Sequence, residues 1–486
     1  MQIDRNAPTP LYHQLKQLLI QQIELGLFPA GAPLPSEQEL CTLYQISRAP
    51  VRQALAELVN EGRIYRRVGV GTFVTPQASV DPEPVLFKVL ANDRWVQLFE
   101  RVTADWAARA KQPRIHLEMQ MPERSEFHQT LRDATVQGDA PDLVSVDYVW
   151  IAGYARANYI APLETIDAAW VQTLRADLEP PVRYNHTLDG QLWGIPVQSD
   201  VTGLWLRRDW FAAEGLSAPV TWDEWRTLLV HFARPDVMTR WGHRCSLVFP
   251  GGVVAEEATL NVLLTLIWGA GGDVLDASGA FSLLHPAIIE TLTFLRSLTE
   301  SGYIAPEAPR LHWSDAPRML AWGETPMTLG GTYEWPVIQE SSPWKTEAEM
   351  LAHLDFVPMP RPSVTHAPVA SLGGTSWVVM RQSDLKTLSC DLMQLAIQSP
   401  WLLQFYAQNC QLSPFRSLNH ALAEASPWIR KILPLLSLAR PRPLLPQYTR
   451  ISRFLQQMFE QVLWQGAPIE DTLRQTQRYL TLLLED

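Results

Sequence analysis

The chain has 486 residues, of which 47% are hydrophobic and 19% charged. That is too long for one core and too apolar for disorder, so two or three packed domains are expected. The net charge of −11 is uneven: residues 1–76 carry seven Lys/Arg against six Asp/Glu, which leaves −12 on the remainder and excludes broad nucleic-acid binding outside the N-terminal stretch.

In chain order, Leu11, Leu15, Leu18, Leu19 and Ile23 recur at helical spacing and predict an amphipathic helix that stops at Gly26. Ser36 and Glu39 have capping-box spacing and open a short helix expected to bury Leu40 and Leu43. Ser47 is placed to cap a third helix. Pro50 is tolerated there because first-turn amides have no helical partner. Val51, Ala54, Leu55, Leu58 and Val59 form the buried stripe of this helix, and Gly62 ends it. Ile64 to Val74 reads as two short strands around Gly69 and Gly71. Arg48 and Arg52 share the face opposite the stripe, where an arginine can grip phosphate or read guanine bidentately. Arg66 and Arg67 add charge beside the glycine wing.

Three segments carry a family resemblance: Leu34-Pro35-Ser36-Glu37-Gln38-Glu39-Leu40, Ile46-Ser47-Arg48-Ala49-Pro50-Val51-Arg52-Gln53-Ala54-Leu55 and Gly69-Val70-Gly71-Thr72-Phe73-Val74. In this order they resemble the winged helix-turn-helix of the GntR family of bacterial transcription regulators, over residues 1–75. The resemblance implies contacts to operator DNA from Ser36, Gln38, Ser47, Arg48, Ala49 and Arg52. It also implies a wing around Gly69 on the minor groove or backbone, and a homodimer reading a pseudo-palindrome.

Residues 76–84, with three prolines just beyond Thr75, read as a semi-rigid linker. A strand at Val85–Leu90 follows, then a helix burying Phe99, Val102 and Trp106. After it come a strand from Ile115 to Met121, a helix around Phe127 and Leu131, and a strand from Asp142 to Asp147. This alternation predicts a mostly parallel sheet. Asp189-Gly190 marks a hairpin turn. Thr221 and Glu224 form a second capping box, opening a helix with Trp225, Leu228, Leu229 and Phe232 inward.

Several segments from 85 to 486 resemble the family-1 extracellular solute-binding proteins of ABC importers, the maltose-binding-protein-like group. They are Ala140-Pro141-Asp142-Leu143-Val144, Asp189-Gly190-Gln191-Leu192-Trp193-Gly194-Ile195-Pro196, Leu204 to Phe211, Val220 to Trp225, Trp322 to Tyr333, Phe356 to Pro360 and Gly373 to Trp377. The implied fold is a two-lobed α/β periplasmic-binding-protein-like domain with ligand in the cleft. One lobe is expected at about 85–197 and 368–410, the other at about 200–362 and 411–486.

By position in the family motifs, the candidate ligand residues are Asp93, Trp95, Asp147, Tyr148, Asp200, Asn261, Trp268, Tyr333, Trp335, Gly373, Gly374, Thr375 and Arg416. Nineteen tryptophans suit a carbohydrate, whose apolar ring faces stack on aromatic side chains while carboxylates and arginines take its hydroxyls.

The four cysteines lack C-x-x-C spacing and the histidines lack ligand pairing, so reduced thiols and no metal are expected. With no apolar leader after Met1 and no run of ~18 apolar residues, a cytoplasmic protein without a membrane partner is expected. G-x-S-x-G, Walker A and G-x-G-x-x-G patterns are missing and glycosidase-type paired carboxylates stay open, while the solute-binding resemblance implies binding without turnover and without a cofactor. The expectation is a DNA-binding regulator that senses a small molecule, most simply a sugar. The alternative is the solute-binding component of an importer.

Overall fold

The computed structural model describes residues 3–5, 7, 9–67, 70–75, 84–109, 113–122 and 124–485. Gly69 and the expected linker, apart from Pro84, lie outside the described residues. The chain forms two compact units. Unit one comprises Met1–Val146, Tyr154–Ala168 and Trp377–Trp401; unit two comprises Asp147–Gly153, Ala169–Ser376 and Leu402–Asp486.

Unit one begins with three helices and a hairpin: α1 (Leu11–Glu24), α2 (Glu37–Tyr44), α3 (Arg48–Asn60), β1 (Ile64–Arg67) and β2 (Gly71–Val74). Leu15 and Leu19 of α1, Leu40 of α2, and Val51, Ala54, Leu55 and Leu58 of α3 close one apolar core with Ile64 and Val74 of the hairpin. The α2 capping box is complete, with Ser36 N–H donating to the Glu39 carboxylate at 2.8 Å and Glu39 N–H to Ser36 Oγ at 3.3 Å.

Two local expectations fail here. Leu43 is 63% exposed, because Cys41 and Tyr44 pack with Leu40 against the core and swing Leu43 outward. Ser47 occupies the N-cap of α3 but makes no side-chain cap bond. The third helical residue is Pro50, which has no N–H to offer the hydroxyl.

The rest of unit one is built on a parallel sheet. β3 (Val85–Leu90) lies between β4 (Ile115–Gln120) and β5 (Leu143–Asp147), parallel to both. Trp377–Val379, in the strand Thr375–Val379, continues the sheet beyond β5. α4 (Val96–Ala107) buries Phe99, Val102 and Trp106, and α5 (Arg124–Gln137) buries Phe127, Leu131 and Thr135.

In unit two the strand Asp200–Arg207 is buried along its whole length. It runs antiparallel to Met327–Gly331, Leu354–Val357 and Ala370–Gly373. Residues Ala258 to Gly269 of the helix Glu257–Gly269 are all buried, consistent with a composition that is apolar apart from Thr259, Asn261 and Thr265. The hairpin Thr187–Leu188 with Gln191–Leu192 turns through Asp189 and Gly190, at φ 51° and 77°, the left-handed pair of a type I′ turn. Thr221 and Glu224 cap the helix Trp222–Phe232 reciprocally.

Segments 147–153, 169–197, 368–376 and 402–410, assigned to lobe one from sequence, group with unit two. One boundary, between Ala168 and Ala169, falls just after Asp167, whose φ −147° and ψ 89° break the helix Glu164–Asp177.

Candidate functional site

The winged helix presents Gln38 of α2, and Ser47, Arg48 and Ala49 at the start of α3, to solvent. The missing cap bond leaves the Ser47 hydroxyl available to an outside acceptor. Ser36, by contrast, is engaged in its capping box. Arg52 Nε donates to Glu37 at 2.9 Å, and Arg66 approaches the same carboxylate at 3.7 Å, so one acid ties α2, α3 and the wing together. Arg48 has no ion-pair partner among the described residues. Arg67 lies over the rings of Tyr65 and Phe73, at 5.5 and 5.3 Å, which stiffens β1 against β2.

Within unit two a cavity of about 600 Å³ is lined by Tyr184, Trp268, Asp273, Asp276, Arg440 and Arg442, with Pro441, Pro443 and Leu444. Trp268 comes from the last turn of Glu257–Gly269, and its Nε1–H donates to Asp273 at 3.1 Å. The short strand Ala439–Arg440, paired parallel with Ala370–Ser371, carries the Arg440 guanidinium over the Trp268 ring at 4.8 Å and into an ion pair with Asp273. Tyr184 is 70% exposed, leaving an aromatic face open at the rim. The wall therefore combines aromatic rings, carboxylates and a guanidinium, the groups that bind a polyhydroxylated ring.

Between Pro441 and Pro443 the chain turns Arg442 inward, and its side chain is 1% exposed. Its backbone N–H and Nε–H both donate to Tyr148 Oη at 3.1 Å; Nη2 reaches Asp147 at 3.1 Å, and Nη1 pairs with Glu257. Tyr448 also donates to Glu257, at 2.9 Å. Glu257 begins its helix, where the dipole favours a carboxylate. Burial works against the Arg442 charge, but Tyr148, Asp147, Tyr448 and Glu257 hold its pKa well above the ordinary value. Burial also raises the hydroxyls of Tyr148 and Tyr448.

Of the expected ligand residues, Trp268 lines this cavity, and Asp147 and Tyr148 meet it through Arg442. Asp200, Gly373, Gly374 and Thr375 gather instead around Gln198, which donates to Asp200 at 3.0 Å and accepts from Thr375 at 3.4 Å. Gly374, at φ 143°, brings its backbone so close that a Cβ would stand 2.1 Å from the Gln198 carbonyl oxygen. Asn261 accepts from Ser371 at 2.8 Å, and Tyr333 meets Trp313 edge to face. Asp93 stands in the turn Asp93–Trp95 after β3.

Trp95 and Trp335 are fully buried. The first packs on Trp377 at 5.2 Å and the second on Trp428 at 4.4 Å. Arg416 donates to the Ala176 carbonyl at the end of the helix Glu164–Asp177, away from the cavity. Sequence reasoning missed Tyr184, Glu257, Asp273, Arg440 and Arg442. The run Ala439-Arg440-Pro441-Arg442-Pro443 was the available signal, since alternating prolines force successive side chains into fixed directions.

The description "Bacterial regulatory proteins, gntR family" matches residues 11–74, and "Bacterial extracellular solute-binding protein" matches residues 103–395, more than half of the chain. The transcriptional repressor NagR of Bacillus subtilis is 48% identical over 75 residues, which are 15% of this chain and 31% of NagR. The chain thus spans about a third of the length of such relatives. The histidine utilization repressor of Pseudomonas aeruginosa is 31% identical over 179 residues, covering 32% of this chain and 68% of that protein. An ABC transporter solute-binding protein from Thermotoga lettingae, solved with alpha-D-tagatose, superposes with a TM-score of 0.71 at 19% identity, over 82% of this chain and all of that one. The chain belongs to the GntR family of bacterial regulatory proteins by its winged helix-turn-helix, and to the bacterial extracellular solute-binding protein family by the two-lobed α/β module that follows.

Proposed function

We propose that the chain is a ligand-responsive transcription regulator. Its winged helix binds operator DNA, and its solute-binding module takes up a carbohydrate that changes that binding. The observation that carries this reading is the coexistence in one chain of a winged helix with Ser47 and Arg48 exposed at the start of α3 and a solute-binding fold whose cavity sets Trp268 beside Asp273 and Arg440. A repressor as relative and a tagatose complex as structural neighbour support the two halves. The protein acts in the cytoplasm as a homodimer, because one module of charge +1 has little electrostatic hold on DNA and two half-sites supply the rest. It binds without chemical turnover.

Thermal unfolding against a panel of mono- and oligosaccharides, with amino acids and peptides as controls, tests the ligand class. A sugar at a hundredfold excess over its dissociation constant should stabilise the protein by ~2.7 kcal/mol. A shift produced by amino acids and by none of the sugars overturns the carbohydrate reading.

A further inference from the structure

We propose that the solute-binding module grips the DNA-reading head directly, at the C-terminal turn of α5, and that this grip sets the orientation of α3. The proposal deepens the regulatory reading above and rests on it. Residues 76–84 join the two modules covalently, and unit one contains a second connection between them.

Tyr12 and His13, in the first turn of α1, meet the last turn of α5. Tyr12 Oη–H donates to the carbonyl of Gln137 at 3.3 Å, one of the oxygens that a helix end leaves without an intrahelical partner. The next residue, Gly138, ends the helix at φ 74°, and the His13 ring sits directly on it. A Cβ at position 138 would stand 3.0 Å from His13 Cγ and 3.2 Å from Nδ1. Glycine is thus favoured twice, by the left-handed conformation and by the ring, which any Cβ would have to push back.

The same turn is anchored from within the module, since Gln382 Nε2–H donates to the Thr135 carbonyl at 3.0 Å. On the other side, Lys16, one turn beyond His13, pairs with Glu57 at 2.9 Å and Glu61 at 2.6 Å. Both glutamates lie at the end of the helix that Arg48 begins. The connection therefore runs from α5 through Tyr12 and His13 to Lys16, and from there into the reading helix. A displacement of the α5 terminus is delivered to α3 by side chains in contact.

Hydrogen exchange on the full chain, without sugar or DNA, tests the grip. Asparagine tolerates the left-handed region, so Gly138→Asn keeps the turn while driving a side chain into the His13 ring. Exchange across Leu11–Leu19 should then rise about tenfold, with Val51–Leu58 still protected. His13→Ala alone should raise it as well, and adding His13→Ala to Gly138→Asn should return it towards the single-alanine level by making room. A flexible insertion within residues 76–83 should leave it slow. Unchanged exchange in both single variants, or a rise caused by the insertion alone, overturns the proposal. Because no ligand enters the measurement, its failure is distinct from that of the carbohydrate reading, which the unfolding panel tests separately.

Discussion

Arg48 and Arg52 leave the same face of α3, but Glu37 holds only Arg52. If α3 enters the major groove, Arg48 can contact a base without first breaking an ion pair, whereas Arg52 must exchange a carboxylate for a phosphate or base. Arg48→Ala should therefore weaken binding to a selected operator by ~1–3 kcal/mol, and Arg52→Ala by less. Fluorescence anisotropy of labelled duplex reads both, and unchanged affinity in the two folded variants removes α3 as the reading helix.

A second residue makes a prediction about pH. His186 is buried between the Val182 carbonyl, 2.7 Å from Nδ1, and the Ser376 hydroxyl on Nε2. A carbonyl only accepts, so Nδ1 carries the proton and Nε2 accepts from Ser376, and the ring is neutral. Burial lowers its pKa from 6.5 to about 4. As pH falls below 6.5 the unfolded chain takes up this proton and the folded chain does not. Stability should drop between pH 6.5 and 4, by about 3 kcal/mol in all from this group. Denaturant midpoints of wild type and His186→Gln across that range check the sign. A difference that stays flat with pH contradicts it.

Among the elements, the segment from Ala439 to Leu444 is the one on which the cavity depends. It contributes Arg440 to the wall and Arg442 to a cage of two carboxylates and two tyrosines. Removing Arg442 takes from Asp147 and Glu257 the guanidinium they share and leaves a void in a buried polar site. Arg442→Ala should therefore cost ~3–5 kcal/mol, measured as a lower denaturant midpoint. A change below ~1 kcal/mol would mean that solvent already screens the cage.

Legibility in sequence followed the range of the interactions. The winged helix was readable nearly to the residue because caps, stripes and turn glycines are local signals, and its failures at Leu43 and Ser47 came from a competing neighbour and a missing amide. The Asp189-Gly190 hairpin and the Thr221 box were legible for the same reason. The cavity was not, because Glu257 and Arg442 are far apart in the chain and only the tertiary fold joins them. The tryptophan count could not say which rings line a cavity: Trp95, Trp205, Trp225, Trp335, Trp377 and Trp428 are fully buried, so much of that aromatic surface builds cores.

At the scale of the whole molecule, the proposed function joins two binding equilibria in one chain. Lobe movement matters to DNA only if it alters how the reading heads are held, and the contact of Tyr12 and His13 with the end of α5 gives that movement a physical route. Couplings of this kind amount to ~1–3 kcal/mol and are reciprocal, so the sugar should change operator affinity ~5–150-fold and the operator should change sugar affinity by the same factor. The direct measurement is calorimetric titration of the full chain with a sugar found in the unfolding panel, performed with and without a saturating duplex selected from random sequence. Two dissociation constants that differ ~5–150-fold are expected, with the same ratio recovered when DNA is titrated with and without sugar. Identical constants in both pairs of titrations would contradict it, leaving a sugar-binding module that says nothing to the DNA reader.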